Sequence, residues 1–357
     1  MLKNIKDLNS NTIEDILIEL REPKYRAEQI LKAIYNDRVE TFEEMTTLPK
    51  SLRDKLPEYF QINSLELSKE SISSDRTTKL LFGLNDGNFI ESVLIPSEFD
   101  DEDEKTHQRN TLCISTQVGC KVDCPFCATG KMGFKRNLLC SEIVDQFFMT
   151  EKFSENKVTN IVFMGMGEPL LNFDNTVKSI SLLTNIKYQL MSKRRITVST
   201  AGIVPKIIEL ADTGFKVKLA VSLHATTNIL REKLIPIAKK WNMNELFNSL
   251  EYYYQKTKVP ITFEYILFEG LNDKDHDVER LSKLTRRFPS KINLLQFNVL
   301  NFMNSTGFAN ELKPAGIFKI HEFSKLLAKS GVTVRIRKSS GKDIEAACGQ
   351  LAYSSKE

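Results

Sequence analysis

The chain has no run of 18 or more apolar residues, so no segment reads as a transmembrane helix. Its first residues, MLKNIKDLNSNTIEDILIEL, lack the apolar stretch of a secretory leader, and a cytoplasmic protein with no membrane association is expected. Histidine is scarce (four) and tryptophan occurs once. No short repeat or low-complexity tract is visible, which excludes solenoids and disordered tails as whole-chain answers. Charge of one sign is also lacking. Fifty Lys and Arg face 46 Asp and Glu, a net +4, so composition alone does not announce a nucleic-acid binder. Ordinary proportions of apolar (41%) and charged (27%) residues over 357 positions predict a globular protein of two or three domains, or one large barrel with an appendage.

Six cysteines are present, at 113, 120, 124, 127, 140 and 348. In a reducing compartment an even count does not mean three disulfides; metal binding or chemistry is the better expectation. Residues 1–60 read as a helical N-terminal domain, with Ala27, Ile30, Leu31, Ile34 and Tyr35 on one helical face and Pro49 and Pro57 as punctuation. Residues 61–106 read as a linker holding a β-hairpin, TTKLLFGL-NDG-NFIESVLIP, and an acidic run at 98–104 expected to be a solvated loop. From 107 to 357, the runs TLCIS, NIVFMG, ITVST, VKLAVSL, ITFEYIL, INLLQF and VTVRI alternate with helical segments. That is the signature of parallel βα units. The fold class expected is α/β, a full or partial (β/α) barrel with its site at the C-terminal strand ends; a doubly wound open sheet is the competitor.

Cys120-x-x-x-Cys124-x-x-Cys127 follows the first barrel strand. Thiolates are soft ligands suited to iron–sulfur clusters or zinc. A four-iron cluster held by three thiolates keeps one iron open, as a catalytic metal requires. A zinc site completed by Cys113 or Cys140 stays open as the alternative, although zinc more often draws separated Cys pairs. Gly165-Met166-Gly167-Glu168-Pro169, Ser199-Thr200-Ala201-Gly202 and Ser222-Leu223-His224-Ala225 each fall at a strand end, and Ala346-Ala347-Cys348-Gly349-Gln350-Leu351 closes the chain. Singly, GMGEP is a turn and His224 a core histidine. TLCIS alternation turns Cys113 inward, and on the residues alone it reads as a buried core cysteine.

In this order, and with QVGC at 117–120, GEPLLN at 167–172 and Tyr25-Arg26-Ala27 near the start, the sequence resembles the RlmN/Cfr family of radical S-adenosylmethionine (SAM) RNA adenine methyltransferases, on its RlmN side. The resemblance covers nearly the whole chain and implies a partial (β/α) barrel of the radical SAM type. It implies a [4Fe–4S] cluster on Cys120, Cys124 and Cys127, with SAM chelating the free iron and yielding a 5′-deoxyadenosyl radical. Gly167, Glu168, Ser199, Ser222, Leu223, His224 and Asn298 would contact SAM. Two SAM molecules serve each turnover. Cys348 takes a methyl group from the first; the radical from the second activates it, and the carbon adds to the base. Cys113 then resolves the adduct as a disulfide with Cys348, and Glu91 accepts the ring proton. The implied substrates are adenosine 2503 of 23S rRNA and adenosine 37 of tRNA, methylated at carbon 2, with an electron donor such as flavodoxin or ferredoxin and a monomeric enzyme. Methylation of carbon 8, as in Cfr, and a non-catalytic zinc-stabilised RNA-binding protein are the alternatives. Cys140 has no implied role. Basic residues expected to meet RNA include Lys131, Lys135, Arg136, Lys193, Arg194, Arg195, Lys239, Lys240, Arg286, Arg287, Arg335, Arg337, Lys338 and Lys342, with the N-terminal helices as an accessory grip.

Overall fold

The structure is a computed structural model that describes residues 2–100, 106–154, 157–300 and 307–353. The N-terminal helices α1 (Ser10–Glu19), α2 (Arg26–Tyr35) and α3 (Lys50–Tyr59) are flanked by two short strands, β1 (Lys3–Asn4) and β2 (Phe60–Gln61), which pair in parallel. Asn9 caps α1 by accepting from the Thr12 amide at 2.8 Å, the usual role of Asn at this position. Pro57 does not end α3. It lies in the last turn, so only the hydrogen bond to the Arg53 carbonyl is forfeited. Ile5, Ile13, Leu17, Ile30, Leu52 and Leu56 form part of a core separate from the main one.

Three antiparallel strands follow: β3 (Leu65–Ile72), β4 (Thr78–Leu84) and β5 (Phe89–Asp100). The β4–β5 hairpin is the one expected; β3, with a bulge between Leu67 and Lys69, was not expected. The acidic run differs from a simple loop, because Glu98–Asp100 continue β5 opposite β6 (Thr106–Cys113); its remaining residues lie outside those described.

β6 begins the parallel part. A small antiparallel pair, β7 (Gln117–Gly119) and β8 (Phe134–Asn137), brackets the cysteine loop and α4 (Ala128–Lys131). Then come α5 (Cys140–Phe153), β9 (Asn160–Phe163), α6 (Phe173–Leu183), β10 (Ile196–Thr200), α7 (Val204–Asp212), β11 (Lys218–Ser222), α8 (Asn228–Leu234) and α9 (Met243–Thr257). β12 (Ile261–Leu267), α10 (Asp275–Thr285), β13 (Ser290–Gln296), α11 (Ile317–Lys329) and β14 (Val334–Arg337) complete the order. All seven expected barrel strands are present, and they lie in sequence order: β6, β9, β10, β11, β12, β13, β14. A doubly wound sheet reverses strand order at a switch point; this one does not. Crossovers of one hand put the helices on one face, and the sheet curls around the other. Among the described residues β14 pairs only with β13, so the barrel is partial.

The N-terminal helices are fastened to the barrel by a buried ion pair. Lys6 Nζ bonds Asp145 Oδ1 in α5, and both side chains are about as buried as core residues. Asp145 Oδ2 accepts the Ser64 amide at 2.8 Å, and Lys6 also sits over the Phe148 ring. Burial pushes the Asp145 carboxyl up, and Lys6 opposes that. Lys6→Met leaves a carboxylate buried and unpaired. The expected cost is about 3–5 kcal/mol, read as a fall in denaturant midpoint, and adding Asp145→Leu should recover most of it. Equal losses for the single and double variants would show that the pair is not the cause. Removing residues 1–60 would strand Asp145 in the same way, so such a truncation tests folding before it tests RNA binding.

Candidate active site

The cysteine loop turns sharply at its start and finish. Cys120 N donates to the Gly133 carbonyl at 3.1 Å, and Cys127 N to the Cys124 carbonyl at 3.1 Å. All three thiols pack beside an apolar group that includes Val122, Phe126, Ala225, Phe268 and Phe297. Burial raises the pKa of each, that of Cys120 to about 12; Cys127 adds to the rise at Cys120 and Cys124, and Cys348 to that at Cys127. Among the described residues no three Cys, His, Asp or Glu side chains converge on a volume fit for one ion.

The strand ends face this loop. After β9, Gly167 has φ +100°, and a Cβ there would lie 2.5 Å from the Gln117 Cβ; only glycine lets the two backbones approach. Glu168 follows, almost fully buried. One carboxylate oxygen accepts the Leu170 amide at 3.0 Å and the other the Ala201 amide at 2.6 Å, which ties the end of β9 to the end of β10. Burial pushes its pKa up to about 7, with these bonds opposing. Ser199 lies in β10 beside Ala220 of β11. Leu223 is in the core, its amide bonded to the Glu264 carbonyl. His224 adopts a left-handed φ of 52°, unusual for this residue type and costly unless the surroundings enforce it. They do: Nδ1 accepts the Ile266 amide at 3.1 Å, Asn272 donates to the His224 carbonyl, and Phe126 meets the ring edge-on at 5.0 Å. Burial, with Arg231 adding, lowers the His224 pKa to about 3, so the ring is neutral. With Nδ1 accepting, Nε2 carries the proton.

The C-terminal segment straps back across the cysteine loop. Ala128 N donates to the Gly349 carbonyl at 2.7 Å, Thr129 Oγ1 to the Leu351 carbonyl at 2.6 Å, and Asn298 Nδ2 to the Cys348 carbonyl at 3.1 Å. Gly349 has φ +83°, and a Cβ there would come within 3.2 Å of the Phe126 carbonyl oxygen. The strap thus brings Cys348 beside Cys113, 235 positions earlier in the chain. Cys348 is exposed and Cys113 is buried at the end of β6. Burial and the neighbouring Cys348 push the Cys113 thiol up to about 12, and Arg337 pulls it down. Glu91 lies two residues from Val93, which pairs with Cys113. Lys79 Nζ holds Glu91 Oε1 at 3.1 Å, while the buried Oε2 has no hydrogen-bond partner. Burial raises the Glu91 pKa and Lys79 opposes it.

Comparisons with known proteins agree along the whole chain. The family model for the ribosomal RNA large subunit methyltransferase N-terminal domain matches residues 3–62, and that for the radical SAM superfamily matches residues 114–281. A protein of Thermotoga petrophila named "Probable dual-specificity RNA methyltransferase RlmN" is 43% identical over 351 residues, covering 98% of this chain and 97% of its own length. One of the same name from Chlorobium phaeobacteroides is 42% identical over 364 residues, covering 99% and 96%. The crystal structure of a radical SAM methyltransferase from Sphaerobacter thermophilus superposes with TM-score 0.88 at 37% identity, over 98% of this chain and 99% of that one. The chain belongs to the RlmN family. It is a radical SAM enzyme, a SAM-dependent RNA methyltransferase of the dual-specificity type.

An RlmN enzyme needs a [4Fe–4S] cluster and SAM, and the residues present suit both. Burial holds the three thiols neutral, and a bound cationic cluster would stabilise them as thiolates. The buried Glu168 carboxyl lies near Cys120 and Cys124, and it too would be stabilised as an anion by a cationic ligand.

Several residues escaped the sequence reading. Arg231, fully buried, donates to the Ala201 carbonyl at 2.6 Å and lies near Cys124, yet sits in an unremarkable helix, NILREKL. Arg337 was counted only as a possible RNA contact. Its Nη1 lies 3.8 Å from Met164 Sδ and 4.0 Å from Glu264 Oε2, beside Cys113 and Cys348. Other basic residues on that list have structural duties. Arg136 is bidentate to Glu142 and also bonds Asp86, Lys135 bonds Asn88, and Arg287 bonds Asn248 and Glu251. Cys140 begins α5 in the core, with Ser179 Oγ 3.5 Å from its sulfur.

Proposed function

We propose that this RlmN-family enzyme methylates carbon 2 of adenosine 2503 in 23S rRNA and of adenosine 37 in tRNA, with two SAM molecules consumed per methyl group. The observation that carries the reading is that the C-terminal strap brings Cys348 close enough to Cys113 for the two thiols to influence each other, with Arg337 acting on both. Cys120, Cys124 and Cys127 are assigned to the cluster, and Gly167, Glu168, Ser199, Ser222, Leu223, His224 and Asn298 to SAM. Bound together, the cluster and SAM supply a methyl group and a 5′-deoxyadenosyl radical.

Carbon 2 of adenine is electron-poor and does not attack a sulfonium directly, so a covalent carrier is needed. Cys348, exposed at the strap, takes the methyl group on sulfur and, after loss of one hydrogen from it, delivers that carbon to the base as a thioether. Glu91, with one free carboxylate oxygen, accepts the ring proton as the adduct radical loses one electron, for which the oxidised cluster would be the acceptor. Cys113 then attacks the Cys348 sulfur. The S–S bond forms, the C–S bond breaks with its electron pair going to the methylene carbon, that carbon takes a proton to become methyl, and the methylated base leaves. Burial first, and the neighbouring Cys348 after it, favour the protonated form of Cys113. External thiols reduce the disulfide between turnovers.

We also assign the enzyme to the cytoplasm as a monomer served by a flavodoxin- or ferredoxin-like donor; no described helix is long and apolar enough to cross a membrane. Nucleosides from large-subunit rRNA and from tRNA, incubated anaerobically with enzyme, SAM and reductant, decide the position by mass spectrometry against isomeric standards. 2-Methyladenosine is expected, and 8-methyladenosine would overturn the carbon 2 assignment.

A further inference from the structure

The strands of the half-barrel alternate between two faces. Leu112, Phe163, Val198, Leu219, Phe263 and Leu294 pack into the main core beneath the helices. The positions between them face the concave side, which apolar layers fill in a closed barrel. Here those positions carry Arg109 in β6, Lys218 in β11, Lys291 in β13, and Arg335 and Arg337 in β14. Their charges act on one another: Arg109 feels Arg335 and Arg337, and Lys218 feels Arg109 and Lys291. The sequences of the seven parallel strands contain one carboxylate, Glu264. It is already engaged by Asn293 Nδ2 at 2.8 Å and by Arg337 at 4.0 Å. Lys218, Lys291 and Arg335 are solvent-exposed, so this is a basic wall open to water and not a sealed core. Lys218 and Lys291 make no ion pair among the described residues. At its upper end, Arg337 adjoins Cys113 and Cys348.

Lys218 and Lys291, exposed and without an ion pair among the described residues, are set among like charges, and an anion laid along the wall relieves that repulsion. A base entering a buried pocket must leave its stack, and its flanking phosphates enter with it. We propose that the concave wall is a phosphate-binding track: the backbone flanking the target adenosine runs along Arg337, Arg335, Arg109, Lys291 and Lys218, with the base turned to Cys348. The proposal rests on RNA as the substrate and adds where its backbone lies. It also moves RNA recognition away from the outer basic residues that the barrel uses structurally.

The test is binding of a fluorescent RNA hairpin carrying the target loop to the anaerobically reconstituted full-length enzyme, over a salt series. For Lys218→Gln/Lys291→Gln, loss of two contacts should flatten the slope of log K against log salt by about 1.4, at ~0.7 per phosphate of a single strand, and weaken binding about tenfold or more at ~0.1 M salt. Lys218→Arg/Lys291→Arg should keep the wild-type slope. An unchanged slope and affinity in the double Gln variant, with iron content and unfolding midpoint intact, overturns the track. If that variant misfolds, each single Gln variant carries the test, with a slope loss of about 0.7 expected and no loss overturning the track. Wild-type enzyme without salt-dependent RNA affinity would instead overturn the reading of this RNA as substrate.

Discussion

Cys113→Ala should leave RNA covalently bound to the enzyme. Under single-turnover conditions, labelled RNA should migrate with the protein on a denaturing gel, and methylated product should fall by on the order of a thousandfold or more. The reason is positional. Cys113 is a buried thiol beside Cys348, and it is the free cysteine that adjoins that sulfur outside the cluster loop. Without it, nothing breaks the bond between carbon and the Cys348 sulfur. Cys348→Ala should be equally inactive yet form no adduct, because no methyl carrier remains. The two variants thus separate opposite ends of one sequence of steps. A Cys113→Ala enzyme that turns over like wild type would sink the two-cysteine scheme, and so would an adduct that survives Cys348→Ala.

Cys124→Ala should yield colourless protein with iron near zero after anaerobic reconstitution, and radical chemistry at background. Cys124 is a buried thiol flanked by Cys120 and Cys127. A cluster held by three thiolates does not survive on two at the same occupancy. Cys140→Ser is the control. Cys140 packs against Ser179 and should keep wild-type iron. Iron retained in Cys124→Ala, or stoichiometric zinc in the wild type, would overturn the cluster assignment.

Much of this architecture was legible because its signals are local. Strand and helix periods marked all seven parallel strands and the helices between them, and the cysteine spacing marked the loop. β3 and the β7–β8 pair were missed. β3, LELSKESI, buries little on either face, so its alternation is faint, and three- and four-residue strands carry no period to read. The site was half legible. Gly167, Glu168 and His224 stand at strand ends, where a barrel displays its chemistry. Arg337, Glu264 and Lys79 could not be singled out, because on a half-barrel an inward polar residue looks the same in sequence as an outward, solvated one. Arg136 shows the reverse: a basic residue after the cluster loop reads as an RNA contact, but Asp86, close only in the fold, and Glu142, six residues further on, hold it.

By itself, then, the sequence determined the donor chemistry and the order of the elements, since thiol spacing and hydrophobic period are properties of neighbours along the chain. The tertiary structure decided that the sheet stays open, that Cys348 returns across 235 positions to Cys113, and that five cations share one concave wall. Each of those depends on contacts between residues far apart in the chain, whose energies are set by strand curvature and burial and leave no periodic trace in the sequence.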